Sequence, residues 1–254
     1  MRERAWGWAV VVLVAAGVLG LGTAAPLHAQ WGGNGFLFGR PSGTVTLRGG
    51  FSHASARSDL FEDITRDLTL KRGDFSGASY GGELGFSIAP DLELTLDAGF
   101  MRTSTPSSYR NFVDNADREI VQRTELRRIP VTVNAKLYLA PRGRTIGRFA
   151  WIPNRLAPWA SAGAGVMRYD FRQAGSFIDF ETNNVFNDTF ESDGTTPMVH
   201  GRLGADLALG TRLALTGEGR YLWARRPQLG RDFVGYAPLD LSGAMVSLGL
   251  TVRL

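Results

Sequence analysis

Residues 77–104 read GASYGGELGFSIAPDLELTLDAGFMRTS, and two crossings of a β-sheet are written in them. From Gly77 to Ala89 the side chains of Tyr80, Leu84, Phe86 and Ile88 share one face, and Gly81, Glu83, Gly85 and Ser87 share the other. Ala89-Pro90-Asp91 reads as a tight turn, since proline presets the backbone and aspartate bonds to its own main chain. Leu92 to Ser104 then returns with Leu92, Leu94, Leu96, Ala98 and Phe100 opposite Glu93, Thr95, Asp97 and Gly99. A period of two sustained in this way is a strand signal. Runs of about ten residues also match the length a tilted strand needs to cross a bilayer.

The same rhythm extends in both directions. Gly43 to His53 sets Val45, Leu47, Gly49 and Phe51 against Thr44, Thr46, Arg48, Gly50 and Ser52. Leu126 to Ala140 alternates Ile129, Val131, Val133, Ala135, Leu137 and Leu139 with Arg128, Thr132, Asn134 and Lys136, although Pro130 belongs at a strand start or bulge. Trp159 to Phe171 is rich in Gly and Ala, and its facing is ambiguous. Met198 to Gly210 places His200, Arg202, Gly204 and Asp206 on its polar face, and Arg212 to Ala224 places Thr216, Glu218, Arg220 and Leu222 there. Leu241 to Leu254 closes the chain with Val246, Leu248, Leu250, Val252 and Leu254 opposite Met245, Ser247, Gly249, Thr251 and Arg253.

Connections alternate as well. Long polar segments follow the first, third, fifth and seventh strands (54–76, 105–125, 172–197 and 225–240), while the second and sixth strands end in tight turns. This parity predicts an eight-stranded up-and-down antiparallel transmembrane β-barrel with long loops outside and short turns in the periplasm. Ala140 to Pro158 breaks the pattern; it reads as a periplasmic excursion, with ten strands as the alternative.

The composition agrees. With 32 Gly, 11% aromatic, 44% hydrophobic and 20% charged residues, the chain suits curved sheet better than packed helices. It has no Cys, which excludes disulfides, thiolate metal sites and a Cys nucleophile. Arg2 and Arg4 precede an apolar run from Val10 to Leu21 and small residues up to Ala29, the order of a secretory signal. The expected domains are therefore a signal peptide over 1–29 and a barrel over 30–254. A soluble barrel would alternate too, with its apolar face inward. The export signal, the sparse charge on the polar faces and a girdle of Phe51, Tyr80, Phe100, Tyr221 and Trp223 toward the long loops favour the membrane.

At the C-terminus, Ser247-Leu248-Gly249-Leu250-Thr251-Val252-Arg253-Leu254 resembles the β-signal of bacterial outer-membrane proteins, which usually ends in Phe where this chain has Leu. The resemblance implies that Gly249, Val252 and Leu254 serve insertion by the barrel assembly machinery. The rest of the mature chain is similar, by pattern, to small barrels of the OmpA transmembrane-domain and OmpX type. It implies a monomer in contact with outer-membrane lipid and lipopolysaccharide, with both mature termini in the periplasm, and no periplasmic domain is expected after Leu254.

Candidate chemistry is sparse. Of three His, His28 falls in the signal, His53 has lipid-facing parity at the rim near Ser52, Ser55 and Asp59, and His200 faces the polar side. A general base needs hydrogen-bond reach to its nucleophile, which this placement does not favour. Asp179, Glu181, Asp188, Glu191 and Asp193 beside Arg172 could hold Ca²⁺, but EF-hand spacing is missing and a solvated loop is the simpler reading. No cofactor, metal or nucleic acid is expected.

The inward faces carry Arg48, Lys136, Arg202 and Arg220 against Glu83, Asp97, Asp206 and Glu218, four of each sign. A selective pore favours one sign. A balanced set predicts an ion-pair network that plugs the narrow lumen of eight strands. The expected function is a non-enzymatic barrel serving envelope integrity or surface-loop interaction. The alternatives are a narrow transporter walled by the fifth strand (Ala160, Ala162, Gly163, Ala164, Gly165), and then a lipid-modifying enzyme.

Overall fold

The computed structural model describes residues 35–254 apart from 115, 180, 181, 183, 227, 228 and 237; the expected signal peptide lies outside them. Eight long strands form the barrel: β1 (Gly43–Ala54), β2 (Gly77–Ala89), β3 (Leu92–Val113), β4 (Glu119–Tyr138), β5 (Leu156–Asp179), β6 (Asn184–Ala208), β7 (Leu213–Arg226) and β8 (Gly243–Arg253). Each pairs antiparallel with its neighbours in sequence, and β8 closes the ring on β1. Closure leaves none of the eight with a free edge, which a bilayer would penalise.

Side-chain direction follows the alternation. Leu47, Phe51, Tyr80, Phe86, Leu96, Val133, Leu203, Leu248 and Leu250 are exposed on the outside, whereas Thr46, Glu83, Asp97, Asn134, Arg202 and Glu218 are buried within. An apolar exterior around a polar interior is the inversion that distinguishes a membrane barrel from a soluble one. Among the described residues no helix is long and apolar enough to cross a membrane. In β5 the ambiguous facing is resolved: Trp159, Ser161, Met167 and Tyr169 point inward, and Ala162, Ala164 and Val166 point outward. A Cβ on Gly163 would stand 1.9 Å from Asn134 Oδ1, so glycine here lets a lumen side chain lie across the wall. Pro130 sits where the β3–β4 ladder lapses, between the pairs Ala98↔Val131 and Met101↔Arg128.

Three expected loops prove to be structured. Segments 105–125 and 172–197 continue β3, β4, β5 and β6 as ribbons well past the apolar band. In these extensions the strict hydrophobic alternation stops, with apolar pairs such as Phe112-Val113 and Phe177-Ile178 side by side, although the backbone ladder continues. Segment 54–76 does not extend its strands; it folds into helix α1 (Asp59–Asp67) and a 3₁₀ turn at Arg72–Phe75. Asp59 and Glu62 in the first turn of α1 and Arg66 in its last complement the helix dipole. Leu60, Phe61 and Ile64 make its buried face.

That face caps a hydrophobic core inside the loop end of the barrel, built with Leu68, Leu70, Phe75, Met101, Leu126, Met167, Phe171, Leu222, Phe233 and Met245. At the opposite end, where both barrel termini lie, segment 140–158 adds no barrel strand. It forms a short hairpin, Gly143–Ile146 with Ala150–Pro153, joined by Leu37–Phe38 as a separate three-stranded ribbon.

Candidate functional site

The chemistry of the chain is concentrated in the lumen, which strand register sorts by charge. Glu83 of β2 lies directly opposite Asp97 of β3, and Arg202 of β6 directly opposite Arg220 of β7. Like charges paired across a ladder repel. The lumen is narrow enough for the two walls to meet, and the pairs cancel across it. Arg220 donates to both Asp97 oxygens at 3.0 and 3.1 Å, and Arg202 reaches Glu83 and lies 3.5 Å from Asp97. Arg48 from β1 adds a contact to Asp97 and one of 3.4 Å to Glu218. Glu218 in turn receives Arg220 at 3.2 Å and the Ser247 hydroxyl at 3.2 Å. Every strand except β4 thus supplies a group to one cluster around Asp97, β5 through Ser161, whose hydroxyl oxygen accepts from Arg202 at 3.2 Å.

Lys136 and Asp206 form a second cluster toward the terminal end. They are 3.6 Å apart, with the ammonium 4.4 Å above the Trp159 ring. Asp206 accepts from Tyr138 Oη at 2.9 Å, Trp159 Nε1 at 3.0 Å and Thr216 Oγ1 at 2.9 Å. A buried carboxylate is tolerated when its lone pairs are satisfied in this way. Tyr138 also lies 3.3 Å from Glu93, which holds Arg142 from the terminal ribbon; Arg142 donates further to Ser87 Oγ at 2.8 Å.

All eight charged residues named from the sequence lie in these two clusters, but the set is larger. Arg128, Arg142 and Arg253 add cations and Glu93 and Asp240 add anions, all buried. Parity alone marks Glu93, Arg128 and Arg253, which sit near the ends of the strands as read from the sequence. Arg142 carried no such signal, since it enters the lumen from outside a barrel strand. Arg128 donates to Leu241 O at 3.2 Å and Ser52 Oγ at 3.1 Å.

The C-terminal residues follow sheet parity: Val252 and Leu254 are exposed outside, and Gly249 faces inward opposite Arg48. A Cβ on Gly249 would stand 2.7 Å from Leu47 O and 3.0 Å from Arg48 Cβ, so its lack of a side chain makes room for Arg48.

The two histidines are not brought together. His53 is exposed at the outer rim with Nδ1 3.1 Å from Ser76 Oγ, while His200 is buried in the lumen against Asn134. Ser52 faces inward to Arg128, and Asp59 begins α1. The acidic loop is a paired ribbon rather than a chelating loop: Arg172 meets Glu191 at 3.1 Å, Arg168 meets Asp193 at 3.7 Å and Arg127 meets Asp170 at 2.6 Å. Among the described residues no group of three or more His, Asp or Glu is placed to hold a metal ion. The small residues of β5 line no break in the wall, as β5 is hydrogen-bonded along its length to both β4 and β6.

No protein-family model matches the chain, and no curated protein matches it. Solved structures do. Neisserial surface protein A matches with a TM-score of 0.46 at 12% identity over 84% of this chain and 96% of its own. Ail, the attachment invasion locus protein of Yersinia pestis, matches with a TM-score of 0.41 at 10% identity over 84% and 99%. The N-terminal β-barrel domain of Pseudomonas aeruginosa OprF matches with a TM-score of 0.36 at 14% identity over 84% and 98%.

Proposed function

We propose that this chain is a non-enzymatic integral barrel of a bacterial outer membrane whose filled lumen makes it a structural and surface-presenting component rather than a pore. The observation that carries the reading is the bridging of opposite walls: guanidinium groups of β6 and β7 reach carboxylates of β2 and β3 across the lumen. Above them the apolar core capped by α1 occupies the loop end, and below them Arg142 enters from the terminal ribbon. Water and ions would have to displace a buried, ion-paired network to pass.

In this reading the long-loop end faces outward and both barrel termini face the periplasm. The ribbons β3–β4 and β5–β6 carry their exposed side chains beyond the membrane, into the zone of lipopolysaccharide or a partner surface. Gly249, Val252 and Leu254 belong to the strand read by the assembly machinery. Purified protein in planar bilayers tests the closed lumen. The expected record is a flat baseline with at most brief, small events, and steady, large open currents would sink the plug.

A further inference from the structure

The terminal ribbon has two unlike sides. Arg142 and Trp151 are buried against the barrel mouth, with the Arg253 guanidinium 5.9 Å from the Trp151 ring. Arg144, Ile146, Arg148 and Phe149 are exposed away from that side, Phe149 at 72%, and Thr145, paired with Trp151 on the edge strand of the ribbon, is exposed as well. The Leu37–Phe38 strand adds Phe38 at 88% exposure, with Arg40 just beyond it, and it is tied to the ribbon by Gly39 N donating to Phe149 O at 2.8 Å. The ribbon is also strongly one-signed. Between Leu139 and Pro158 stand Arg142, Arg144, Arg148 and Arg155 without any Asp or Glu, and none occurs between Phe36 and Leu47 either. Arg212 in the β6–β7 turn is a further exposed cation at this end, and Asp91 in the β2–β3 turn stands against them. The apolar band runs directly into the ribbon's roots, where Leu139 and Leu156 are 62% and 57% exposed.

Aromatic and aliphatic side chains interleaved with arginine, at the edge of an apolar band, match a bilayer interface: rings settle at headgroup depth while guanidinium groups meet phosphate. We propose that the ribbon is an interfacial anchor that binds the headgroups of anionic phospholipid in the leaflet adjoining the terminal end. Phe38, Ile146 and Phe149 enter the interface, and Arg40, Arg144, Arg148 and Arg155 engage the phosphates. The occupant is lipid rather than protein because positive charge, exposed rings and continuity with the lipid-facing band coincide on one small element. The inference rests on the membrane reading of the barrel, and it makes the ribbon a second, charge-selective hold on the bilayer.

The absence of cysteine allows a clean test. Thr145→Cys and, as a control in the apolar band, Leu248→Cys are each labelled with an environment-sensitive fluorophore. The full barrel is then reconstituted in vesicles of phosphatidylcholine with or without phosphatidylglycerol. The Leu248 label reports insertion of the barrel itself, so loss of its shielding would fail the membrane reading, whereas the Thr145 label reports only the ribbon. With phosphatidylglycerol the Thr145 label should become several-fold less accessible to acrylamide, and high salt should release it, since a charge near an anionic surface is worth about a fivefold preference at low salt. Changing Arg40, Arg144, Arg148 and Arg155 together to Gln should abolish the effect, and changing them to Lys should keep it. Heat-modifiable migration establishes that each variant is folded. Equal acrylamide access in both lipids, shielding that survives the Gln changes, or shielding that appears only on adding an acidic protein would overturn the proposal.

Discussion

Asp97 shows how much of this molecule depends on single side chains meeting across the lumen. It sits beside Glu83 on the same wall, a placement that is repulsive within the sheet, and is held by Arg48, Arg202 and Arg220 from other strands. Removing one member of such a buried set leaves the others uncompensated. Asp97→Ala should therefore lower stability by about 3–5 kcal/mol in urea unfolding from lipid vesicles; a change below 1 kcal/mol would mean the cluster is solvated. Parity alone puts Asp97 and its seven companions on the inner face. It could not say which cation each carboxylate meets, because partners come from strands far apart in sequence. Gly249 carries the same lesson: its place in a C-terminal pattern is legible, but its accommodation of Arg48 depends on the β8–β1 register.

At the scale of elements, α1 is the clearest departure from strand rhythm. Phe61 is fully buried, with ring centroids 4.6 Å from Phe75 and 6.0 Å from Phe171. Phe61→Ala should cost about 3–5 kcal/mol of local stability. Hydrogen exchange would show it as lost protection in α1 with the mid-band strands unchanged; equal loss throughout would mean that helix and barrel unfold as one unit. The turn from β3 to β4 is pinned by Asp114, whose carboxylate accepts from the Arg118 backbone N–H at 2.9 Å and from Arg118 Nε at 2.8 Å. The Arg118 amide, then its side chain, holds the Asp114 pKa below the ordinary carboxylate value. A depressed pKa gives support that is present above the ordinary value and fades as pH falls through the lowered one. Carboxyl NMR shifts should accordingly place the Asp114 midpoint below that of a free peptide, and a midpoint at or above it would contradict the pinned turn. The strand extensions leading to this turn escaped the alternation because apolar residues there, Phe112 and Val113 among them, stand side by side rather than at every second position.

For the whole molecule, the inverted arrangement of polarity is the property that decides solvent. Leu248 is 64% exposed on the outer wall. In a bilayer, Leu248→Arg should destabilise the barrel by about 2–4 kcal/mol near the midplane, measured as the shift in urea midpoint in lipid vesicles. A barrel living in water would accept that arginine with little change. Two fillings stack inside this one wall, an ion-paired zone and an apolar core beneath α1, and together they account for the expected absence of conductance.

Strand order, the facing of every strand but β5 and the inverted polarity of the barrel were legible in the sequence alone, because a sheet with one apolar face outward alternates and signals each crossing locally; the count of eight rather than ten and the facing of β5 needed the structure. The tertiary structure decided the rest: the partners within the charge clusters, the apolar core under α1, the ribbon that inserts Arg142, and the length of the strands beyond the membrane. Each of these depends on contacts between residues distant in the chain or on ladders of main-chain hydrogen bonds, and neither leaves a periodic mark in the order of side chains.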